Sequence, residues 1–197
     1  MINYNNNFLH QFIKTYDVIS EDVCKSCITT INKNKDWHQH TFYNETEKKS
    51  HARSGKNELS VLNYNQASGD QKKVIMDAMW FAIEKYFKEL DTPWFSQWHG
   101  YTGIRFNKYK KNKRMAFHCD HIHSIFEGPR RGIPFLSILG SLNNNYEGGE
   151  FIMFDKKEYK IKAGQVLIFP SFFFFHIELS LLLKELVIPT YRGLINV

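Results

Sequence analysis

The sequence predicts an α+β fold in which N-terminal helices support one face of a jelly roll. Three observations carry this. Apolar residues recur near every 3.6 positions over residues 70–90, short strand candidates follow one another at even spacing after Pro93, and glycine- and asparagine-rich turns separate those candidates.

The elements follow in chain order. Residues 1–17 mix aromatic and polar side chains. Ser20 is suited to cap a helix, with Glu21 and Asp22 in its first turn and a short apolar stripe of Val23, Cys27, Ile28 and Ile31. Residues 36–43 read as a strand, 44–57 as a charged exposed loop and 59–64 as another short strand. The clearest helix runs over 70–90, where Ile75, Met79, Ile83, Tyr86, Phe87 and Leu90 demand one buried face. Strands are then expected at 101–109, 115–120, 133–142, 150–154, 159–162 and 165–170, with turns at 143–145, Gly148-Gly149 and Ala163-Gly164. With no repeat and no linker, residues 1–197 form a single domain: a helical support region over 1–100, a jelly-roll core over 101–176 and an atypical tail over 177–197.

Composition narrows the class. With 197 residues, 43% hydrophobic and 16% aromatic, the chain can bury a core and is not disordered. It has no apolar run of 18 residues, and its first residues lack the basic-then-apolar layout of a signal peptide, so a cytoplasmic protein that spans no membrane is expected. Three cysteines build no disulfide framework. Cys24 and Cys27 form a C-x-x-C without the second pair a zinc site needs, and read as small side chains on a helix. The net charge of +6 would suit nucleic acid or an acidic small molecule; its densest run, Lys108, Lys110, Lys111, Lys113 and Arg114, reads as a solvated turn.

The chemistry begins at His118 and Asp120. Two residues apart on a strand, they project from one face and can converge on a point. His176 lies 56 positions after Asp120, behind the apolar strand Val166-Leu-Ile-Phe-Pro170. Two histidines and one carboxylate, leaving three coordination positions open, are the ligand set of non-haem Fe(II) oxygenases.

Five motifs in order extend this: Ile104-Arg-Phe-Asn-Lys-Tyr109, Phe117-His-Cys-Asp-His-Ile-His123, Gly132-Ile-Pro-Phe-Leu-Ser-Ile-Leu139, Asn145-Tyr-Glu-Gly-Gly-Glu-Phe151 and Ala163-Gly-Gln-Val-Leu-Ile-Phe-Pro-Ser171. Together they resemble the 2-oxoglutarate/Fe(II) oxygenases, specifically the prolyl 4-hydroxylase-like branch common in phage and bacterial genomes. The resemblance implies a cupin-like double-stranded β-helix, Fe(II), 2-oxoglutarate as cosubstrate, and ascorbate as an optional further cofactor. It makes His118, Asp120 and His176 the metal ligands and catalytic set, and assigns Tyr109, nine residues before His118, to the cosubstrate; His121 and His123 are expected outside the ligand set. The implied reaction couples oxidative decarboxylation of 2-oxoglutarate to hydroxylation of a peptidyl proline or a free amino acid. Rival readings are an oxygenase acting on nucleic acid, suggested by the basic turn, and a non-catalytic β-domain.

The resemblance breaks in the tail. A basic residue for the distal carboxylate of 2-oxoglutarate should stand about ten positions after the second histidine, within a Pro-Val-Thr-Lys-Gly-x-Arg-Tyr-Ser-like ending. Here Lys184 and Arg192 stand eight and sixteen positions on, which leaves Arg192 as the candidate anchor. Codons permitted by residues 175–194 can be chosen so that the shifted frame reads Pro-His-Arg-Val-Lys-Pro-Val-Thr-Lys-Gly-Thr-Arg-Tyr-Ser, the family-like ending. This points to a frameshift near Phe172–Phe175 and makes His176 an accidental histidine, turned from the iron by a one-residue slip unless the backbone bulges. Leu179, Leu182, Leu183 and Leu186, with Pro189 as a stop, predict a helix or a poorly packed segment in the tail.

Overall fold

The computed structural model describes residues 6–44, 46–63, 71–92, 100–101, 103–118, 120, 133–153, 156–172, 177–179 and 186–195. In chain order the elements are α1 (Asn6–His10), β1 (Lys14–Asp17), α2 (Glu21–Asn32), β2 (His38–Gln39), β3 (Phe42–Asn44), β4 (Lys49–His51), a 3-10 turn (Gly55–Asn57), β5 (Ser60–Asn63) and α3 (Gln71–Glu89). There follow β6 (Gly100–Tyr101), β7 (Arg105–Tyr109), β8 (Met115–His118), β9 (Ile133–Gly140), β10 (Phe151–Met153), β11 (Lys157–Tyr159), β12 (Gln165–Pro170), β13 (Ile177–Leu179) and β14 (Leu186–Ile195). An eight-stranded antiparallel sheet has the order β1-β12-β9-β14-β7-β5-β2, with β6 on β14. A four-stranded sheet has the order β11-β10-β13-β8, and β3 pairs with β4 as a hairpin.

Side-chain alternation divides the core in two. Val166 and Ile168 of β12, Leu136 and Ile138 of β9, and Phe106 of β7 pack with Cys24, Cys27 and Ile31 of α2 and Ile75, Met79, Ile83 and Tyr86 of α3. Their strand neighbours Leu167, Phe169, Leu139 and Tyr109 join a second cluster with Met115 of β8 and Phe151 and Met153 of β10. A strand covered on both faces needs apolar residues at every position, which is why residues 166–169 read as a continuous run. Each fully buried aliphatic or aromatic side chain here contributes about 1.5–3 kcal/mol.

The two helices expected ahead of Pro93 stand as α2 and α3 where the periodicity put them. Ser20 caps α2, its Oγ accepting from the Val23 N–H at 3.4 Å. Cys24 and Cys27 are both buried free thiols in the α2–α3 core, so the C-x-x-C is packing. Other expectations change. Residues 1–100 are more than helical support, since β1 pairs with β12 and β5 with β7. The strand expected over 36–43 is split into β2 and β3, because His40 turns into the interior between them. The exposed loop over 44–57 holds the β3–β4 hairpin and the 3-10 turn. The strand expected at 159–162 lies earlier, over Lys157–Tyr159.

The tail differs most. Leu179 closes β13, Leu186 opens β14, and β14 lies between β9 and β7, so from Leu186 on the chain is strand where a helix running to Pro189 or a poorly packed segment was expected; Leu182 and Leu183 lie outside the described residues. Without a strand in that place, β7 and β9 would each leave a row of backbone groups unpaired, a cost that outweighs a helical leucine spacing. Pro189 is tolerated at a hand-over: β14 pairs with β7 from Leu186 to Thr190, and its pairing with β9 begins at Thr190, one residue after the proline.

Candidate metal centre

His118 closes β8, and in the ladder with β13 it stands opposite Ile177. Between that pair and Leu179↔Met115 the register shifts, so three steps along β8 match two along β13. This irregularity explains how Met115 and His118, three apart and thus of opposite parity, are both buried, while Phe117 between them is exposed. Asp120 follows two residues later, also buried, and its Oδ1 stands 3.5 Å from His118 Nε2.

The other oxygen of this carboxylate is held. Ser137, on β9, donates its hydroxyl to Asp120 Oδ2 at 2.5 Å, and Ser171, just past β12, shares a 2.9 Å hydrogen bond with Ser137. Both serines are fully buried. With Oδ2 engaged, Oδ1 remains on the His118 side, and one imidazole nitrogen and one carboxylate oxygen stand close enough to share an ion. An imidazole nitrogen with a carboxylate oxygen suits several divalent metals, Fe(II) among them. Among the described residues no group of three or more His, Cys, Asp or Glu side chains forms a metal cluster.

The polar face of β7 lines the same interior. Asn107 and Tyr109 are buried and Arg105 is half-buried, all of one parity. Burial pushes the Tyr109 phenol well above its ordinary value; nearby Glu58 and Asp120 push the same way and Arg105 opposes them. The phenol therefore stays protonated as a hydrogen-bond donor. The Tyr109 hydroxyl donates to Met115 Sδ at 3.6 Å, a weak bond.

Solved structures share this architecture. The chain aligns over 96% of its length, and 86% of theirs, with a prolyl hydroxylase from Trichoplax adhaerens in complex with a hypoxia inducible factor oxygen degradation domain peptide fragment, at TM-score 0.69 and 12% identity. A Pseudomonas putida prolyl-4-hydroxylase matches at TM-score 0.63 and 14% identity, covering 93% of this chain and 92% of that one. A viral collagen prolyl hydroxylase from Paramecium Bursaria Chlorella virus-1, in its 2OG complex, matches at TM-score 0.61 and 15% identity, covering 93% and 96%. This chain has the prolyl hydroxylase fold. No protein-family model and no curated protein matches its sequence.

Within that prolyl hydroxylase fold the sequence-derived candidates divide. His118, Asp120 and Tyr109 share one buried region. His176, His121, His123 and Lys184 lie outside the described residues; β13 begins at Ile177, one position past His176 and opposite His118. The backbone of Arg192 pairs in β14 with that of Ser137, the residue that holds Asp120.

The sequence reading missed a second polar group beside the centre. Glu58, fully buried ahead of β5, accepts from the Ser54 N–H at 2.9 Å through Oε2, and its Oε1 lies 3.7 Å from His40 Nδ1. Burial lowers His40, with Arg105 and His118 adding to the effect and Glu58 opposing it, so the imidazole is neutral near pH 7. Burial alone would raise the Glu58 carboxyl, but His40, the Ser54 N–H and His118 together hold it below its ordinary value. Ser137 carried a signal, as the one polar side chain in the apolar run 133–139. Glu58 carried none, because its burial depends on chain folded over it from elsewhere.

Proposed function

We propose that this chain is a 2-oxoglutarate- and Fe(II)-dependent dioxygenase that hydroxylates a peptidyl proline or an amino acid. The observation that carries the reading is the buried His118 Nε2 and Asp120 Oδ1, 3.5 Å apart, with the second carboxylate oxygen tied to Ser137, inside a prolyl hydroxylase fold. The two sheets are then the walls of a double-stranded β-helix.

His118 and Asp120 would hold the iron, with His176 as the third ligand. When bound, Fe(II) with 2-oxoglutarate supplies the oxygen chemistry that replaces a C–H by C–OH and leaves succinate and carbon dioxide. The chain's own part is binding and orientation. Ser137 holds Oδ2 of the Asp120 carboxylate, which keeps Oδ1 on the His118 side. Tyr109, protonated in its apolar surroundings, would donate to a carboxylate of 2-oxoglutarate, and Arg192 would pair with the distal one. The apolar cluster around Tyr109, Leu139 and Phe169 would keep water out. A peptide substrate is favoured over nucleic acid by the peptide-bound Trichoplax relative. Buried free thiols suit a reducing compartment such as the cytoplasm.

A second reading is an impaired copy of the same enzyme, favoured by the family-like ending that the shifted frame of residues 175–194 can encode. One assay separates the possibilities: succinate formed from 2-oxoglutarate with Fe(II) and oxygen, in the presence of proline-containing peptides, free amino acids or RNA, for this chain and for a chain carrying the frame-restored ending. Turnover with a peptide or amino acid supports the first reading, and turnover only with the restored ending supports the second. Folded proteins of both kinds that neither bind iron nor form succinate would overturn the dioxygenase assignment.

A further inference from the structure

We infer that Phe42, braced by the buried Glu58–His40 pair, is the positioning residue for the His118 imidazole. The inference rests on the proposed metal centre. Phe42 opens β3 and is buried, and its ring meets the His118 ring edge-on at 5.4 Å and 63°. The His40 ring also meets Phe42, at 4.5 Å and 88°, and the Arg53 guanidinium lies 4.4 Å from the Phe42 ring centroid. The three rings form a ladder that ends on the candidate ligand.

The far end of that ladder is anchored. His40 donates its backbone N–H to Leu59 O at 2.9 Å, and its Nδ1 is 3.7 Å from Glu58 Oε1. That separation exceeds a hydrogen bond, and among the described residues neither atom has a hydrogen-bond partner elsewhere. A buried carboxylate oxygen is costly to leave so. Its attraction to His40 is thus spent on holding one ring, and through it Phe42. A ligating imidazole must aim its nitrogen lone pair in the ring plane, so a tilt of the ring weakens the bond to the metal. Edge-to-face packing fixes that tilt as an outer hydrogen bond does at other metal sites.

The test uses Cu(II) as a spectroscopic probe on the full chain, with Phe42→Leu, Phe42→Tyr, Glu58→Gln and His118→Ala. Phe42→Leu is expected to weaken Cu(II) binding about tenfold, the lower range for loss of an outer-sphere support, and to spread its electron paramagnetic resonance signal over several ligand environments. Phe42→Tyr, which keeps the ring, should restore one environment, and Glu58→Gln should shift the signal in the direction of Phe42→Leu by less. Circular dichroism and thermal melting register a loss of fold separately, and Glu58→Gln carries the test should Phe42→Leu not fold. A folded wild type that binds no Cu(II), or binds it equally after His118→Ala, overturns the metal centre itself. Intact wild-type binding with affinity and signal unchanged in the folded Phe42 and Glu58 variants overturns the positioning role alone.

Discussion

Ser137 donates its hydroxyl to Asp120 Oδ2 at 2.5 Å, joining the middle of β9 to a carboxylate two residues past the end of β8. Ser137→Ala removes the donor that holds Asp120 Oδ2 and leaves Ser171 without the hydroxyl it shares. Divalent-metal affinity is expected to fall about tenfold with the fold retained. Calorimetric titration with Mn(II) checks this, and an unchanged affinity would mean that Oδ1 needs no such support.

Tyr109 is a buried phenol on the wall beside this centre. A hydrogen bond to a charged group is worth about 1.5–3 kcal/mol, so Tyr109→Phe should raise the KM for 2-oxoglutarate by about ten- to a hundredfold while the protein still binds metal. If metal affinity fell and KM did not change, Tyr109 would be packing against the site and not binding the cosubstrate.

Arg192→Ala should cost about 2–5 kcal/mol of 2-oxoglutarate affinity if its guanidinium makes the buried pair with the distal carboxylate. A frame-restored ending should exceed the natural tail in that affinity. Sequencing the codons across Phe172–Phe175 and beyond is expected to return ones compatible with the shifted ending, and incompatible codons would remove that account of the tail.

Burial raises the Cys27 thiol to about 12 and pushes Cys24 in the same direction. At pH 8 the thiolate fraction of Cys27 is then about one in ten thousand, and thiolate is the reactive form. Both residues should resist iodoacetamide in the native protein and react after denaturation, as read by peptide mass mapping; labelling under native conditions at pH 8 would contradict their place between α2 and α3.

Gly164 has φ +84°, and a Cβ there would meet the Ile19 carbonyl oxygen at 2.2 Å. That backbone is fixed by the Gly164 carbonyl, which accepts from the Val18 and Ile19 N–H groups at 3.1 and 3.0 Å. Gly164→Ala should destabilise the fold by about 2 kcal/mol or more, from strain plus displacement of a main-chain contact. Urea denaturation checks it.

Local chemistry made much of this legible beforehand. The α3 periodicity, the Ser20 cap and the apolar run at β12 are properties of neighbouring residues, and each stands in the fold where the pattern placed it. His118 and Asp120 do approach to 3.5 Å, as their spacing suggested, although β8 ends at His118 and Asp120 lies beyond the strand that was expected to carry both.

What only the tertiary structure decided are the contacts between distant segments. Ser137, on β9 of the larger sheet, reaches Asp120 past the end of β8 in the smaller one, and Phe42 reaches His118 from the β3–β4 hairpin. The tail makes the contrast plainest. Its leucines favour a helix when read alone, yet two neighbouring strands with open hydrogen-bonding edges require a third between them, and that demand comes from β7 and β9, not from the tail's own residues.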